Sequence, residues 1–213
     1  MMNRIRILLA DDHAMFREGL ERVINSTDGM EVTDSVGDGA EVLKKLSSGD
    51  WDVLVLDIAM SGLGGIDVLK ALKAKKSPQK VLVLSMYPPE QYAIRVLKAG
   101  AAGYLTKGSS LSELITAIRQ ISQGKKYISP EVASLLSDNL LGDIEHAPHE
   151  ILSEREYQVM CHLAKGRSVS DIAELLSLSS NTVSTYRARV LKKLSLKNNA
   201  ELAHYAVSNN LVD

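Results

Sequence analysis

Two aliphatic runs in the first third of the chain end in aspartate: ILLA before Asp11-Asp12 and VLVL before Asp57. Carboxylates that share one site repel each other, and only raised pKa values or a hard divalent cation relieve the repulsion. Mg²⁺ suits such a cluster, because it takes one or two carboxylates together with waters and phosphate oxygens. Two further runs end in complementary groups, Ser85 after VLVL and Lys107 after GYLT. A metal, a carboxylate nucleophile, a hydroxyl and a lysine at one rim make a phosphoryl-transfer constellation.

These groups meet only if the runs are parallel strands whose carboxyl ends share an edge, where open α/β sheets bind ligands. Continuous aliphatic runs predict buried strands at 5–10, 30–36, 52–58, 80–85 and 103–107. Between them, Phe16, Leu20, Val23 and Ile24 fall on one helical face, as do Leu111, Leu114, Ile115, Ile118 and Ile121. Ser110 and Glu113 form a capping box for the second of these helices. Residues 1–126 are therefore predicted to be α/β, a doubly wound five-stranded parallel sheet.

The remainder has a different character. Residues 127–149 read as an acidic linker whose front half, PEVASLLSDNLL, permits a helix. Residues 150–213 read as a small all-α unit of four helices, at 153–165, 169–176, 180–194 and 199–208, with a capping box at Ser153/Glu156. With about 100° per residue, Val183, Tyr186, Val190, Leu191 and Leu194 share a buried stripe. Asn181, Thr185, Ala188, Arg189 and Lys192 lie opposite, with Ser184 and Lys193 on the flanks. Short polar groups near the start of a helix and cations further along suit a major groove. Arg187, close to the apolar stripe, is expected at a rim phosphate or in an internal pair.

Overall charge conceals this division. The 213 residues carry 25 Lys plus Arg and 26 Asp plus Glu, a net charge of -1, which taken whole argues against a polyanion partner. Split by position, residues 1–130 hold 17 basic and 15 acidic groups, and 131–150 hold none and 5. Residues 151–213 hold 8 and 6, with five basic and no acidic residue from Leu175 to Ala200. Such a tether, through Asp138, Asp143, Glu145 and Glu150, would compete electrostatically with DNA for the basic helix. No apolar run approaches the ~18 residues of a membrane span, and the opening MMNRIRILLADDH reaches its aspartates too soon for a signal peptide. A cytoplasmic protein without a membrane partner is expected, and Cys161 is expected to be a small buried hydrophobe.

The joint pattern of Asp11-Asp12, Asp57, Ser85 and Lys107, with GYLT before the lysine, resembles the receiver domain of bacterial two-component response regulators. The resemblance implies a flavodoxin-like fold and a phosphoacceptor, Asp57, that attacks the phosphohistidine of a sensor histidine kinase. It also implies Mg²⁺ held by Asp12, Asp57 and the main-chain carbonyl of Ala59, with Asp11 acting through water. Lys107 and Ser85 would contact the phosphoryl oxygens, and Tyr104 would follow the movement of Ser85. Several positions depart from the family pattern. Ser61 replaces a usual proline, Gly64-Gly65 would loosen the same loop, Met86 would restrict access to the site, and Gly108 in place of proline predicts no cis peptide.

LSEREYQVMCHLAKG followed by IAELLSLSSNTVSTYRARVLKKL and ELAHYAVSNNLVD resembles the LuxR/FixJ/NarL-type helix-turn-helix. Helix 180–194 would then read DNA through Asn181, Thr182, Ser184, Thr185, Ala188, Arg189, Lys192 and Lys193, and the last helix would pack between subunits through Leu202, Ala203 and Ala206. Together the two halves resemble a NarL/FixJ-family response regulator, and AAGYLTKG and KKYISPEVA are similar to regulators of the GacA/UvrY kind. That resemblance implies a phosphorylation-activated transcriptional regulator, not an enzyme on other substrates, which dimerises on activation and binds a two-fold operator in double-stranded DNA. Two alternatives stay open. One is a Mg²⁺-dependent phosphohydrolase with an aspartyl nucleophile, disfavoured because Ala59 stands where such enzymes commonly need a second acid. The other is a DNA-binding module whose receiver only scaffolds a dimer.

Overall fold

The computed structural model describes residues 4–141, 148–209 and 211–212, which divide into two compact units, residues 1–138 and 139–213. The first alternates strand and helix: β1 Ile5–Ala10, α1 Ala14–Asn25, β2 Met30–Val36, α2 Gly39–Leu46, β3 Val53–Leu56, α3 Gly65–Ala74, β4 Val81–Ser85, α4 Pro89–Ala99, β5 Gly103–Thr106 and α5 Leu111–Ser122. All strand pairings are parallel, in the order β2-β1-β3-β4-β5. β1, β3 and β4 are flanked on both sides, which explains why Leu8, Leu9, Ala10, all of β3 and all of β4 are buried. Fully burying one such aliphatic side chain stabilises by about 1.5–3 kcal/mol, so the central strands anchor the unit.

Helix-face assignments from periodicity hold where the sheet covers them. Ile24, Leu114, Ile118 and Ile121 are buried on one side of the sheet with Ile7, Leu9, Val53 and Val55, while Leu111 remains about half exposed. Ser110 and Glu113 make the reciprocal cap at the start of α5. Beyond it, α6 Pro130–Leu141 realises the helix-permissive front of the linker, with Val132 buried. Asp143 and Glu145 of the postulated electrostatic tether lie outside the described residues.

The second unit is helical: a 3₁₀ turn Pro148–Ile151, then α7 Glu154–Ala164, α8 Val169–Leu175, α9 Ser180–Lys193 and α10 Asn199–Ser208. Capping boxes open α7 (Ser153/Glu156) and α8 (Ser168/Asp171), and the Ser179 side chain accepts from the Thr182 amide to start α9. Each such cap satisfies backbone amides that the helix cannot, for about 1 kcal/mol. α7 packs against α9 and α10, and α8 against α9. Cys161 is buried here, as expected of a small hydrophobe.

This packing corrects part of the dimer surface expected on α10. Leu202 and Ala206 are fully buried in the unit's own core, and only Ala203 of that trio keeps partial exposure. The exposed side of α10 carries His204 and Val207 instead, Val207 being 54% exposed. A helical wheel fixes which residues share a face but not which neighbour that face meets.

At the end of α7, the partly buried His162 accepts from Arg167 (Nη1 to Nδ1, 3.1 Å). Burial, helped by the charges of Arg167 and Lys165, pushes its pKa down to about 4. The unfolded chain takes up this proton below its usual pKa near 6.5 while the fold refuses it, so stability should fall from pH 6.5 to about 4 and level off below. The loss attributable to His162 is at most about 3 kcal/mol. Urea unfolding across that range should show a shallower fall for His162→Gln than for wild type; identical curves would contradict the assignment.

Candidate functional site: an acidic rim and a basic helix

The chain order reverses between β1 and β3, which lie side by side with Ala10 opposite Leu56. The Asp57 amide donates to the Ala10 carbonyl at 2.8 Å, so the residues just beyond both strands are held at one point of the rim. That is the switch point where open α/β sheets place ligands. Asp11, Asp12, His13 and Asp57 gather there, each offering a ligand atom within 4.8 Å of the others.

Lys107, at the end of β5, bridges two of the carboxylates. Its Nζ donates to Asp57 Oδ2 at 2.8 Å and to Asp11 Oδ2 at 2.6 Å, and all three side chains are at most 4% exposed. The Phe16 ring lies 4.6 Å from the same ammonium, adding a cation–π contact. Burial raises the Asp57 pKa above the ordinary carboxylate value, and Asp11 adds to this, while Lys107 and the Ala59 amide partly oppose it. Burial alone would lower the Lys107 pKa, but Asp57 and Asp11 outweigh it and hold the ammonium charged.

The residues fit a hard divalent cation. Asp12 Oδ2 accepts from the Ser61 amide at 2.7 Å, but its buried Oδ1 has no well-directed hydrogen bond, although His13 Nδ1 stands 2.9 Å away. Three carboxylates against a single lysine also leave negative charge uncompensated. Asp57 Oδ1 accepts from the Ala59 amide at 3.1 Å, so Ala59 contributes its main chain at this rim.

Ser85 is fully buried, and its Oγ accepts from the Tyr87 amide at 3.1 Å. The buried Tyr104 donates its hydroxyl to the Tyr87 carbonyl at 2.6 Å, and the Tyr87 ring stacks on Tyr92 at 4.7 Å. One residue's main chain thus joins Ser85 to Tyr104. Sequence reading missed Tyr87, His13 and Phe16. For His13 the signal was its place directly after the aspartate pair.

Two departures from the family pattern turn out differently than expected. Met86 is 72% exposed and stands in solvent instead of covering the rim. Gly65 does not loosen its loop: a Cβ there would sit 2.3 Å from the Asp57 carbonyl oxygen and 2.8 Å from Ile58 Cα. Only glycine lets α3 start against the backbone of Asp57. Gly65→Ala is expected to destabilise the first unit by roughly 1–3 kcal/mol, measured by thermal unfolding. As expected at Gly108, no cis peptide occurs among the described residues.

In the second unit, Asn181, Ser184, Thr185, Ala188, Arg189 and Lys192 are exposed along one side of α9, while Val183 and Val190 are fully buried. Asn181, Thr182, Thr185, Tyr186 and Arg189 line a hollow of about 360 Å³, which brings the half-buried Tyr186 into the surface. Three residues expected at DNA have internal partners. Thr185 Oγ1 donates to the Asn181 carbonyl at 2.9 Å. Thr182 Oγ1 hydrogen-bonds Ser179 Oγ in the cap at 2.7 Å. Lys193 Nζ donates to Glu156 Oε2 at 2.6 Å, the same oxygen that accepts from the Ser153 amide at 2.8 Å. Arg187 takes the internal alternative, with Nε donating to Asn199 Oδ1 at 2.7 Å. Among the described residues, no helix is long and apolar enough to cross a membrane.

Comparison with known proteins places both units. The response regulator receiver domain matches residues 7–119, and the bacterial regulatory proteins of the luxR family match residues 150–206. The response regulator GacA of Pseudomonas viridiflava is 37% identical over 210 residues, 98% of this chain and 98% of its own. The response regulator UvrY of Escherichia coli K12 is 34% identical over 211 residues, 97% and 95% of the two chains. Among solved structures, RcsB of Salmonella enterica serovar Typhimurium, bound to promoter P1flhDC in the presence of the phosphomimetic BeF3-, matches with a TM-score of 0.61. It is 26% identical, over 98% of this chain and 100% of that one.

Proposed function

The chain belongs to the two-component response regulators that join a receiver to a LuxR-type DNA-binding domain, and from that premise we propose that phosphorylation of Asp57 controls how it binds its operator. The observation that carries the proposal is the pairing of Asp57 with Lys107 beside the under-bonded Asp12 at the carboxyl ends of β1 and β3. A sensor histidine kinase is the donor: an Asp57 oxygen forms a bond to phosphorus as the phosphohistidine N–P bond breaks, leaving an acyl phosphate. Exposed Met15 and Leu111 line an apolar groove of about 430 Å³ that reaches Lys107, a surface on which a donor protein can seat. Asp12, Asp57 and the Ala59 carbonyl would hold Mg²⁺, with Asp11 behind, and the ion would offset charge on the carboxylates and the phosphoryl oxygens.

Formation of this mixed anhydride removes the carboxylate charge that Asp57 presents to Lys107. The ammonium keeps Asp11 and gains a phosphoryl oxygen, while Ser85 Oγ turns to another. That turn releases the Tyr87 amide, and with it the carbonyl on which Tyr104 rests. A local change of charge thereby reaches the packed face formed by α4 and β5. Tyr104→Phe should leave the extent of phosphorylation unchanged but shrink the gain in DNA affinity several-fold, read by titration of labelled and unlabelled protein.

Catalysis is confined to the receiver's own phosphotransfer and dephosphorylation, a reading supported by Ala59, which supplies no acid two residues after Asp57. The activated form binds two-fold DNA as a homodimer: α9 enters the major groove with Asn181, Ser184, Thr185 and Arg189 at base edges and Lys192 at phosphate. The dimer contact on α10 uses the exposed side around Ala203 and Val207. The structure of RcsB bound to a promoter in the presence of a phosphomimetic, a protein similar to this chain over both units, supports reading the two sites together. Incubation with an acyl-phosphate donor and Mg²⁺ should add one phosphoryl group that maps to Asp57. No label, or label elsewhere, would refute the proposal.

A further inference from the structure

Seven lysines collect around the ends of α3 and α5 and the start of β4, at the pole of the first unit opposite Asp57. Lys44 and Lys45 of α2 and Lys98 of α4 lie at the same pole, and Asp28, Asp50 and Asp52 precede β2 and β3 there. Lys70 and Lys73 lie in the last two turns of α3, Lys75 and Lys76 follow it, and Lys80 precedes β4. Lys125 and Lys126 follow α5. Main-chain carbonyls tie these segments together: Lys73 Nζ donates to Lys98 O at 2.7 Å and Lys80 Nζ to Ser122 O at 2.6 Å. The Tyr127 amide donates to Ala102 O at 2.9 Å, which fixes Lys125 and Lys126 beside β5.

Lysines near helix ends are commonly there to offset the negative end of the helix dipole, and Lys73 fits that role. The others go beyond it. Between Asp67 and Glu90 the chain has no acidic residue. Among the described residues, none of the seven ammonium groups has a carboxylate within 4.0 Å, whereas Lys45 and Lys193 each have one and Lys107 has two. Lys75, Lys76, Lys125 and Lys126 are exposed, and a hollow of about 240 Å³ within the patch has an apolar floor that includes Leu69, Leu72 and Val81, with Lys73, Lys76, Ser77 and Gln79 also lining it. Lysine, serine and glutamine are donors that proteins use toward nucleic-acid phosphates. No aromatic residue lines that hollow, which leaves the phosphate backbone and not stacked bases as the target.

We propose that this lysine pole binds the phosphates of duplex DNA, a sequence-independent hold separate from the base-reading helix α9. The inference rests on the reading of the chain as a DNA-binding protein. The competing occupant is the chain's own acidic stretch 131–150, which carries five acidic residues and no basic one.

The test uses the full chain and a long random-sequence duplex, with affinity measured against salt concentration. Replacing Lys75, Lys76, Lys125 and Lys126 with glutamine should weaken binding roughly tenfold at low salt and reduce the salt slope by about 2–4, near 0.9 per lost phosphate contact. The corresponding four arginine substitutions should retain wild-type affinity and slope, and Asp57 labelling should be normal in both variants. Wild-type affinity and slope in the glutamine variant would overturn the proposal. Tighter binding by that variant would also overturn it, in favour of the acidic stretch. A wild-type chain that does not bind the duplex would fail the DNA-binding reading as well.

Discussion

Asp57→Asn should abolish acyl-phosphate labelling and the associated gain in DNA affinity, while raising the midpoint of thermal unfolding. The first effect follows because the amide oxygen of asparagine is no substitute for the attacking carboxylate. The second follows from burial: the Asp57 pKa is raised, so the folded state favours the neutral form. For a raised carboxylate pKa, stability falls as pH climbs from the ordinary value through the folded one, and above that the penalty is fully present. Asparagine keeps the shape and removes the charge, and Lys107 still has Asp11 at 2.6 Å. A variant that is inert to phosphodonors but no more stable would show that Lys107 already compensates Asp57 in full. A variant that still gains affinity on treatment with donor would remove Asp57 from the switch.

Exchanging the neighbouring lysines of α9 for alanine should give opposite results. Lys193→Ala leaves Glu156 buried without its cation. The pair holds the Glu156 pKa below the ordinary range through Lys193 and Ser153, although burial opposes this. Breaking a buried pair typically costs 3–5 kcal/mol. Lys193 is 38% exposed, so about 2 kcal/mol of destabilisation is expected after discounting for solvent. Lys192→Ala should leave stability unchanged and weaken DNA binding, lowering the salt slope by about one phosphate contact. Chemical denaturation and salt titration of both variants separate these roles. Equal stability would return Lys193 to the DNA surface.

Much of the fold was legible because its signals are local. Buried parallel strands need unbroken aliphatic runs, and those runs end at Asp11, Asp57, Ser85 and Lys107, where the sheet puts its ligand edge. Capping boxes at Ser110 and Ser153 are contained within four residues and were legible for the same reason. What escaped depends on contacts distant in sequence. Lys193 looks like a flank residue of a DNA helix until α7 brings Glu156 beneath it. Leu202 and Ala206 look like an interface until α7 covers them. Gly65 reads as a flexible residue until its closeness to the Asp57 carbonyl is known. Tyr87 contributes through its main chain, which leaves no trace in residue type.

The central claim is that charge at Asp57 is converted into affinity at α9. The most direct measurement is the affinity of the full chain for a duplex selected from a random pool, before and after stoichiometric phosphorylation with an acyl-phosphate donor and Mg²⁺. Tighter binding by about 5- to 150-fold is predicted, the usual range of a coupling between two sites, and none should occur in Asp57→Asn. Equal affinity with and without the phosphoryl group on Asp57 would contradict it.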